Sequence, residues 1–309
     1  MNTDYLNTID DYIKQKHYRL VNSVLVYKDN EIVYERYYNK FNENSKNNIK
    51  SIWKSILSIC IGICLDKEYI KSLDEPICNY LDEFNQGIHS YHKLITIRHL
   101  LTMTSGIYWN KGIHYHCPML EQMFRTNNWL EHIADIAMAD FPGTKYVYKE
   151  WDVILLSAVI SKATGMDAYE FCNQNLYQPL QIQSGEWPAS KCGISYTIIA
   201  GKEESSDLSA RDLAKIGLLF LNNGIWHGER IISDEYIKQA VTPTKQAQNY
   251  GFLWWLFDGG YTCMGIGGQE INVLPKHNLV AVIQAKYTSQ GKSYSDIFTE
   301  VIRKGVEEE

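Results

Sequence analysis

The sequence predicts an α+β protein: a central antiparallel sheet built from N- and C-terminal strands, flanked by helices, with a mostly helical lobe inserted. Three observations predict it. β-Rich runs occupy residues 20–38, such runs return only after residue 250, and the chain between them is largely helical in pattern. Strands at both ends of a chain usually share one sheet, with the intervening helices packed on it or beside it. At 309 residues the chain is read as a single domain, 1–309. Its α/β lobe comprises 1–65 and 245–309, and its helical lobe 66–244. The boundary between the lobes is a natural cleft.

Residues 4–16 read as an amphipathic helix. "LVNSVLVYKDNEIVYERYY" then holds two strands joined at Lys28-Asp29-Asn30, a hairpin signal. The next helix, within "SIWKSILSICIGICL" (51–65), is apolar on every side from Ile56 onward apart from Ser58 and Gly62, which marks it as buried. A helix follows Thr96 and stops at Ser105-Gly106. Another runs from Asp152 to just before Gly165. A third has Ser209 and Asp212 as a capping box and Gly224 as its stop. The end turns β again through "YGFLWWLF", "YTCM", "EINVLP" and "LVAVIQA", before a terminal helix from about Ser293.

Composition narrows the function. A net charge of -6 argues against a nucleic-acid or anionic-membrane partner. No run reaches the 18 or so apolar residues of a spanning helix, and the acidic start lacks the features of a signal peptide. Seven scattered cysteines suit a reducing cytoplasm better than a disulfide framework, so a cytoplasmic location is expected. Cys60 and Cys64 share a face of the buried helix and read as core.

Lys54 is the anomaly. It sits in the first turn of the apolar helix, where the macrodipole costs a cation roughly 0.3–1 kcal/mol and burial costs more. Ser51 lies three residues earlier, on the same face. Desolvation and the dipole both favour the neutral amine, so Lys54 could accept a proton from Ser51 near neutral pH. The structural alternative is a capping Ser51 with Lys54 reaching to water. Ser289 and Lys292 repeat the spacing in a polar turn, a useful control for chance.

Other motifs carry less. His114, His116 and Cys117 lack a fourth ligand at a recognisable spacing, so no metal site is expected. "MGIGGQE" is not a dinucleotide loop, because a strand rather than a helix follows it. There is no G-x-S-x-G elbow and no P-loop.

Five further segments change the weight of Ser51. "ITIRHLLTMTSG", "FPGTKYVYKEWDVILLSAVISKATG", "LSARDLAKIGLLFLNNG", "YGFLWW" and "GIGGQ" occur in this order. The chain thereby resembles the serine β-lactamase and penicillin-binding-protein-like superfamily. Within it the match is to the class C-like branch of small esterases, D-aminopeptidases and nylon-oligomer hydrolases. The resemblance spans about Tyr34 to about Phe298 and implies the β-lactamase/transpeptidase-like fold. It implies Ser51 as nucleophile, Lys54 as its proton acceptor, and Tyr148 as the shuttle to the leaving group. Tyr146, one strand step away, reads as a packed aromatic. The backbone N–H groups of Ser51 and Ile266 would form the oxyanion hole, and Gly265 and Gly267 would let the strand approach the substrate.

Two departures stand out. The family's third motif places Lys or His before its threonine and glycine, to grip a substrate carboxylate; here the stretch is Cys263-Met264-Gly265. Two residues after Tyr148 the family has Asn or Ser, and this chain has Glu150. That glutamate is either an exposed residue paired with Lys149 or another neighbour, or an acid in the cleft that pairs with Lys54 or binds a substrate cation. Trp53, Trp109, Trp254 and Trp255 are candidates for the pocket wall. The expected function is hydrolysis of a small-molecule ester or amide through an acyl-enzyme, without metal or cofactor. An acyl transferase or amide-forming enzyme, and a non-catalytic binder of the same fold, are the alternatives.

Overall fold

The computed structural model describes residues 3–86, 89–112, 117–197, 207–288 and 291–307; for 3–5 and Gln86 only the backbone is described. Helix α1 (Thr3–Lys14) precedes the hairpin of β1 (Val21–Lys28) and β2 (Glu31–Tyr37). Asp29 and Asn30 both take positive φ, 54° and 65°. A two-residue turn with both centres left-handed matches the twist of the strands it joins, and Asp and Asn tolerate that region.

After the short β3 (Lys46–Asn48) comes α2 (Ile52–Asp66), buried at every residue from Ile52 to Cys64. Cys60 and Cys64 lie in the core as expected. The helix after Thr96, α3 (Ile97–Leu101), carries a capping box with His99 and is shorter than its sequence pattern, because Met103 turns to φ 55°. The long middle helix, α4 (Glu150–Thr164), begins two residues before Asp152, so Glu150 opens it. The short β4 (Asp207–Ser209) leads into α5 (Ala210–Leu221), and Ser209 and Asp212 form the expected capping box.

The C-terminal strands are β5 (Trp255–Phe257), β6 (Gly260–Gly265), β7 (Gln269–Leu274) and β8 (Leu279–Ala285). Strand β5 is shorter than "YGFLWWLF" suggests. The N–H groups of Phe252 and Leu253 bond to Ala240 and Leu101 in the helical region, which draws this stretch away from the sheet. The terminal helix runs through a π-wound stretch at Ile297–Ile302 into a regular turn at Arg303–Glu307.

The sheet order is β2-β1-β8-β7-β6-β5, all antiparallel, so β1 and β8 join the two ends of the chain at its centre. Both faces are covered. Leu25 and Val282 point into a large core shared with α2 and α4, whereas Val24, Val26 and Ile283 meet Leu6, Ile9 and Phe298 on the other face. That double burial explains why β8 is apolar without alternation. Helix α5, though its residues fall in the stretch read as the helical lobe, lies on the sheet: a Cβ at Gly217 would stand 2.6 Å from Val280 and 2.8 Å from Ile271. No helix among the described residues is long and apolar enough to cross a membrane.

Candidate active site

Lys50, with φ 50°, turns the chain out of β3 and into α2. A non-glycine residue held in the left-handed region costs about 1–3 kcal/mol and marks places where a side chain must be aimed. The next residue, Ser51, is the N-cap of α2, yet its side chain makes no cap hydrogen bond. Its hydroxyl is therefore not used to terminate the helix. Lys54 is 1% exposed and does not reach to water; its Nζ donates to Ser51 Oγ at 3.2 Å and to Glu150 Oε1 at 2.9 Å. The capping-serine, snorkelling-lysine reading is thus excluded on both counts.

Glu150 approaches from the first turn of α4, where the helix N-terminus favours a carboxylate. It is not an exposed partner of Lys149. The two neighbours point apart: the buried Lys149 Nζ donates to Ser105 Oγ and the Ile107 carbonyl, both at 3.1 Å. The Glu150 pairing corrects the expectation of a neutral Lys54. Burial is the largest influence and lowers the lysine, but the charges of Glu150 and Tyr148, with their hydrogen bonds, together hold it above its ordinary value. The resting side chain is an ammonium.

Tyr148 stands one residue before the N-cap of α4. Its ring centroid is 5.2 Å from Lys54 Nζ, and it stacks on Trp255 at 5.7 Å. Tyr146 instead packs against Tyr250 in the core margin, as a structural aromatic would.

Opposite the helix, Gly265 closes the approach. A Cβ there would lie 2.3 Å from the Ile49 carbonyl oxygen, so only glycine lets the end of β6 dock against the residues leading to Ser51. A cavity of about 360 Å³ results, bounded by Ser51, Tyr148 and Glu150 on one side and Gly265, Ile266, Gly267 and Gly268 on the other. Trp255, Met264 and Glu270 complete it with Lys50, Lys292 and Ser293. Trp53 and Trp109 do not line it: Trp53 is buried against Trp187 and Trp109 sits on Trp151, both edge to face. Trp254 stacks on Phe220 in the core. Of the four tryptophans, Trp255 alone borders the cavity.

Sequence reasoning missed Lys50, Glu270 and Lys292. Lys292 was visible in the control S-x-x-K match, but its place beside the cavity depends on the loop after β8. Ser289 and the two histidines, His114 and His116, lie outside the described residues. Cys117 is buried and its thiol donates to the Asn110 carbonyl.

A second serine-centred network lies beneath. Ser105 Oγ donates to Asp152 Oδ1 at 2.5 Å, and Lys149 donates to the same hydroxyl. Burial pushes Asp152 up to about 6, against the pull of Lys149 and Ser105. Ser105 and Asp152 are 0% exposed and border neither this cavity nor its neighbours.

A model of the Beta-lactamase family matches residues 9–299. An uncharacterised protein of Alkalihalophilus pseudofirmus is 24% identical over 84% of this chain and 82% of its own. A candidate beta-lactamase from Bacteroides dorei superposes with a TM-score of 0.81 at 17% identity, covering 99% of both chains. A D-stereospecific amidohydrolase from Streptomyces superposes with a TM-score of 0.73 at 16% identity, covering 97% of this chain and 98% of its own. The chain belongs to the Beta-lactamase family.

Proposed function

We propose that this member of the Beta-lactamase family is a cytoplasmic serine hydrolase that opens small-molecule esters or amides through an acyl-enzyme on Ser51. The observation that carries the reading is convergence. Ser51, Lys54 and Tyr148 meet at one cavity, and Gly265 brings Ile266 to the same place. Family and fold support serine-hydrolase chemistry independently. The seven free thiols support a reducing compartment.

In the first half-reaction the Lys54–Tyr148 pair, having first given up one proton to solvent, takes the Ser51 proton as a unit while Ser51 Oγ attacks the carbonyl. The oxyanion forms between the Ser51 and Ile266 N–H groups, each such donor contributing roughly 3–4 kcal/mol to the transition state. Tyr148 then passes the proton to the departing alcohol or amine. In the second half-reaction water attacks the acyl-enzyme, the same pair accepts its proton, and that proton returns to Ser51 Oγ as its bond to the acyl carbon breaks and the acid leaves. Glu150 acts on Lys54 in this scheme rather than gripping a substrate cation, because its carboxylate is already engaged by the ammonium.

A fluorophosphonate probe tests the assignment. Peptide mass spectrometry should place the adduct on the peptide containing Ser51. An adduct confined to Ser105 or Ser289 would overturn it.

A further inference from the structure

Beside the catalytic cavity lies a larger one of about 650 Å³, at the ends of β1 and β8. Its lining contains four cationic side chains, Arg19, Lys46, Lys50 and Lys286, against a single carboxylate, Asp207. The whole chain is acidic, with a net charge of -6, so this concentration of positive charge runs against the background. In a concave wall such charges focus their field on the space they enclose.

The carboxamides in the wall are engaged with the protein itself. Asn22 donates to Asn47 at 2.9 Å, and Asn39 donates to the Val21 carbonyl at 2.9 Å. They hold the wall in shape together with Lys46, whose Nζ donates to the Gln183 carbonyl at 2.6 Å, while Arg19 and Lys286 are the exposed cations at its rim.

Lys50 joins this cavity to the catalytic one, because it borders both. It is 5% exposed, and its Nζ lies 4.4 Å from the centroid of the Tyr287 ring. Tyr287 in turn lies against Gly267 of the catalytic wall, 3.0 Å from where a Cβ would stand. Lys50 and Tyr287 thus stand between the two cavities, and the lysine immediately precedes Ser51.

We propose that the basic cavity receives a multiply charged anionic end of the substrate, while the ester or amide to be cleaved lies at Ser51. This deepens, and rests on, the Ser51 hydrolase reading. Lys50 contacts the part of the substrate crossing between cavities. Arg19 and Lys286 hold the distal negative charges, which carboxylates or phosphates can both supply, and Lys46 adds its field from its place on the Gln183 carbonyl. A carboxylate-gripping cation on the strand at Cys263-Met264 becomes unnecessary, since Lys50 and the basic cavity supply positive charge beside the nucleophile.

Two measurements separate this proposal from the reading beneath it. The first is calorimetric binding of tri-glutamate and of inorganic tripolyphosphate, with tri-lysine as control, to the wild type and to an Arg19→Glu/Lys286→Glu variant. Both altered residues are exposed, so the substitutions spare the core. At least one anion should bind, weaken with added salt, and lose about tenfold or more in the variant. Whichever binds more tightly identifies the charge carrier. The second is the ratio of kcat/KM for 4-nitrophenyl hydrogen glutarate to that for 4-nitrophenyl acetate. It should exceed one and fall in the variant. Anion binding without ester turnover would overturn the hydrolase reading and keep the cavity assignment. Ester turnover with no anion binding, or binding and ratio unchanged in the variant, would overturn the cavity assignment alone.

Discussion

Among the described residues, two clusters of serine, lysine and carboxylate meet at the start of α4, one sealed and one open to a cavity. Lys149 belongs to one and its neighbour Glu150 to the other. In both, a buried lysine Nζ donates to a serine hydroxyl, at 3.1 Å and 3.2 Å. They differ in what the carboxylate holds. Asp152 accepts the hydroxyl proton of Ser105 and fixes it in a closed network, with Lys149 anchored on a backbone carbonyl. Glu150 holds the lysine instead, and Ser51 faces a cavity beside a strand that glycine allows close. Residue type does not separate the two clusters; access and the direction of one hydrogen bond do. The sealed cluster pins the loop at Ser105 to the start of α4, which carries Tyr148 and Glu150 into the open one.

The widest separation between the clusters should come from alanine at each serine. Ser51→Ala is expected to lower ester-hydrolysis kcat by about 10⁴-fold or more, as removal of a nucleophile does elsewhere. Ser105→Ala should retain turnover per folded molecule while losing about 1–3 kcal/mol of stability, because Asp152 and Lys149 each lose a buried partner. Steady-state kinetics and urea unfolding on the two variants would check this. The reverse pattern would exchange the roles of the clusters.

Much of the fold and of the open cluster was legible in the sequence, the sealed Ser105 cluster was not, and the unread part has a physical cause. The hairpin, the buried α2, the capping box at Ser209 and the joining of terminal strands in one sheet follow from periodicity and turn chemistry. The lobe of α5 did not, since an amphipathic helix shows that it covers something without saying whether that is sheet or helix. Ser51, Lys54 and Tyr148 could be proposed from spacing and family likeness. Whether Glu150 faced Lys54 or Lys149 could not, because side chains at adjacent positions of a helix start point apart and only the fold decides which meets the cleft. Trp53 was misread for the same reason: it shares a turn with Ser51 and Lys54, yet its ring enters the core. Lys50 and Lys286 are far apart in the chain and acquire meaning only when the ends of β1 and β8 meet.

Within the open cluster Tyr148 should have the next largest effect. Its substitution by Phe keeps the stacking on Trp255 and removes only the hydroxyl proposed to carry the proton. A decrease in kcat of about 10²-fold, with little change in stability, is the typical size of a general acid–base contribution. Near-wild-type kcat would leave proton transfer to Lys54 alone and would make the open cluster resemble the sealed one more closely.

The smallest expected effect, and the finest test of the contrast, is the pH dependence set by Glu150. Burial lowers Lys54, but the charges of Glu150 and Tyr148 and their hydrogen bonds outweigh it, so the folded-state pKa lies above the ordinary lysine value. A raised lysine favours the folded state below its unfolded pKa, and that contribution is lost as pH rises through the folded one. The same sign governs catalysis. If the Lys54–Tyr148 pair must lose a proton before it can accept one from Ser51, a negative Glu150 delays that loss and moves activity to alkaline pH. Glu150→Asn removes the charge while keeping a polar group at the cleft, so the rising limb of kcat/KM against pH should move to lower pH. The stability contribution from Lys54 should likewise fade at lower pH than in the wild type. Asp152, whose charge is turned toward Ser105 and Lys149, should have no comparable influence on that limb. An unchanged rising limb in Glu150→Asn would mean that the ion pair holds the cleft in shape without setting the protonation of its base.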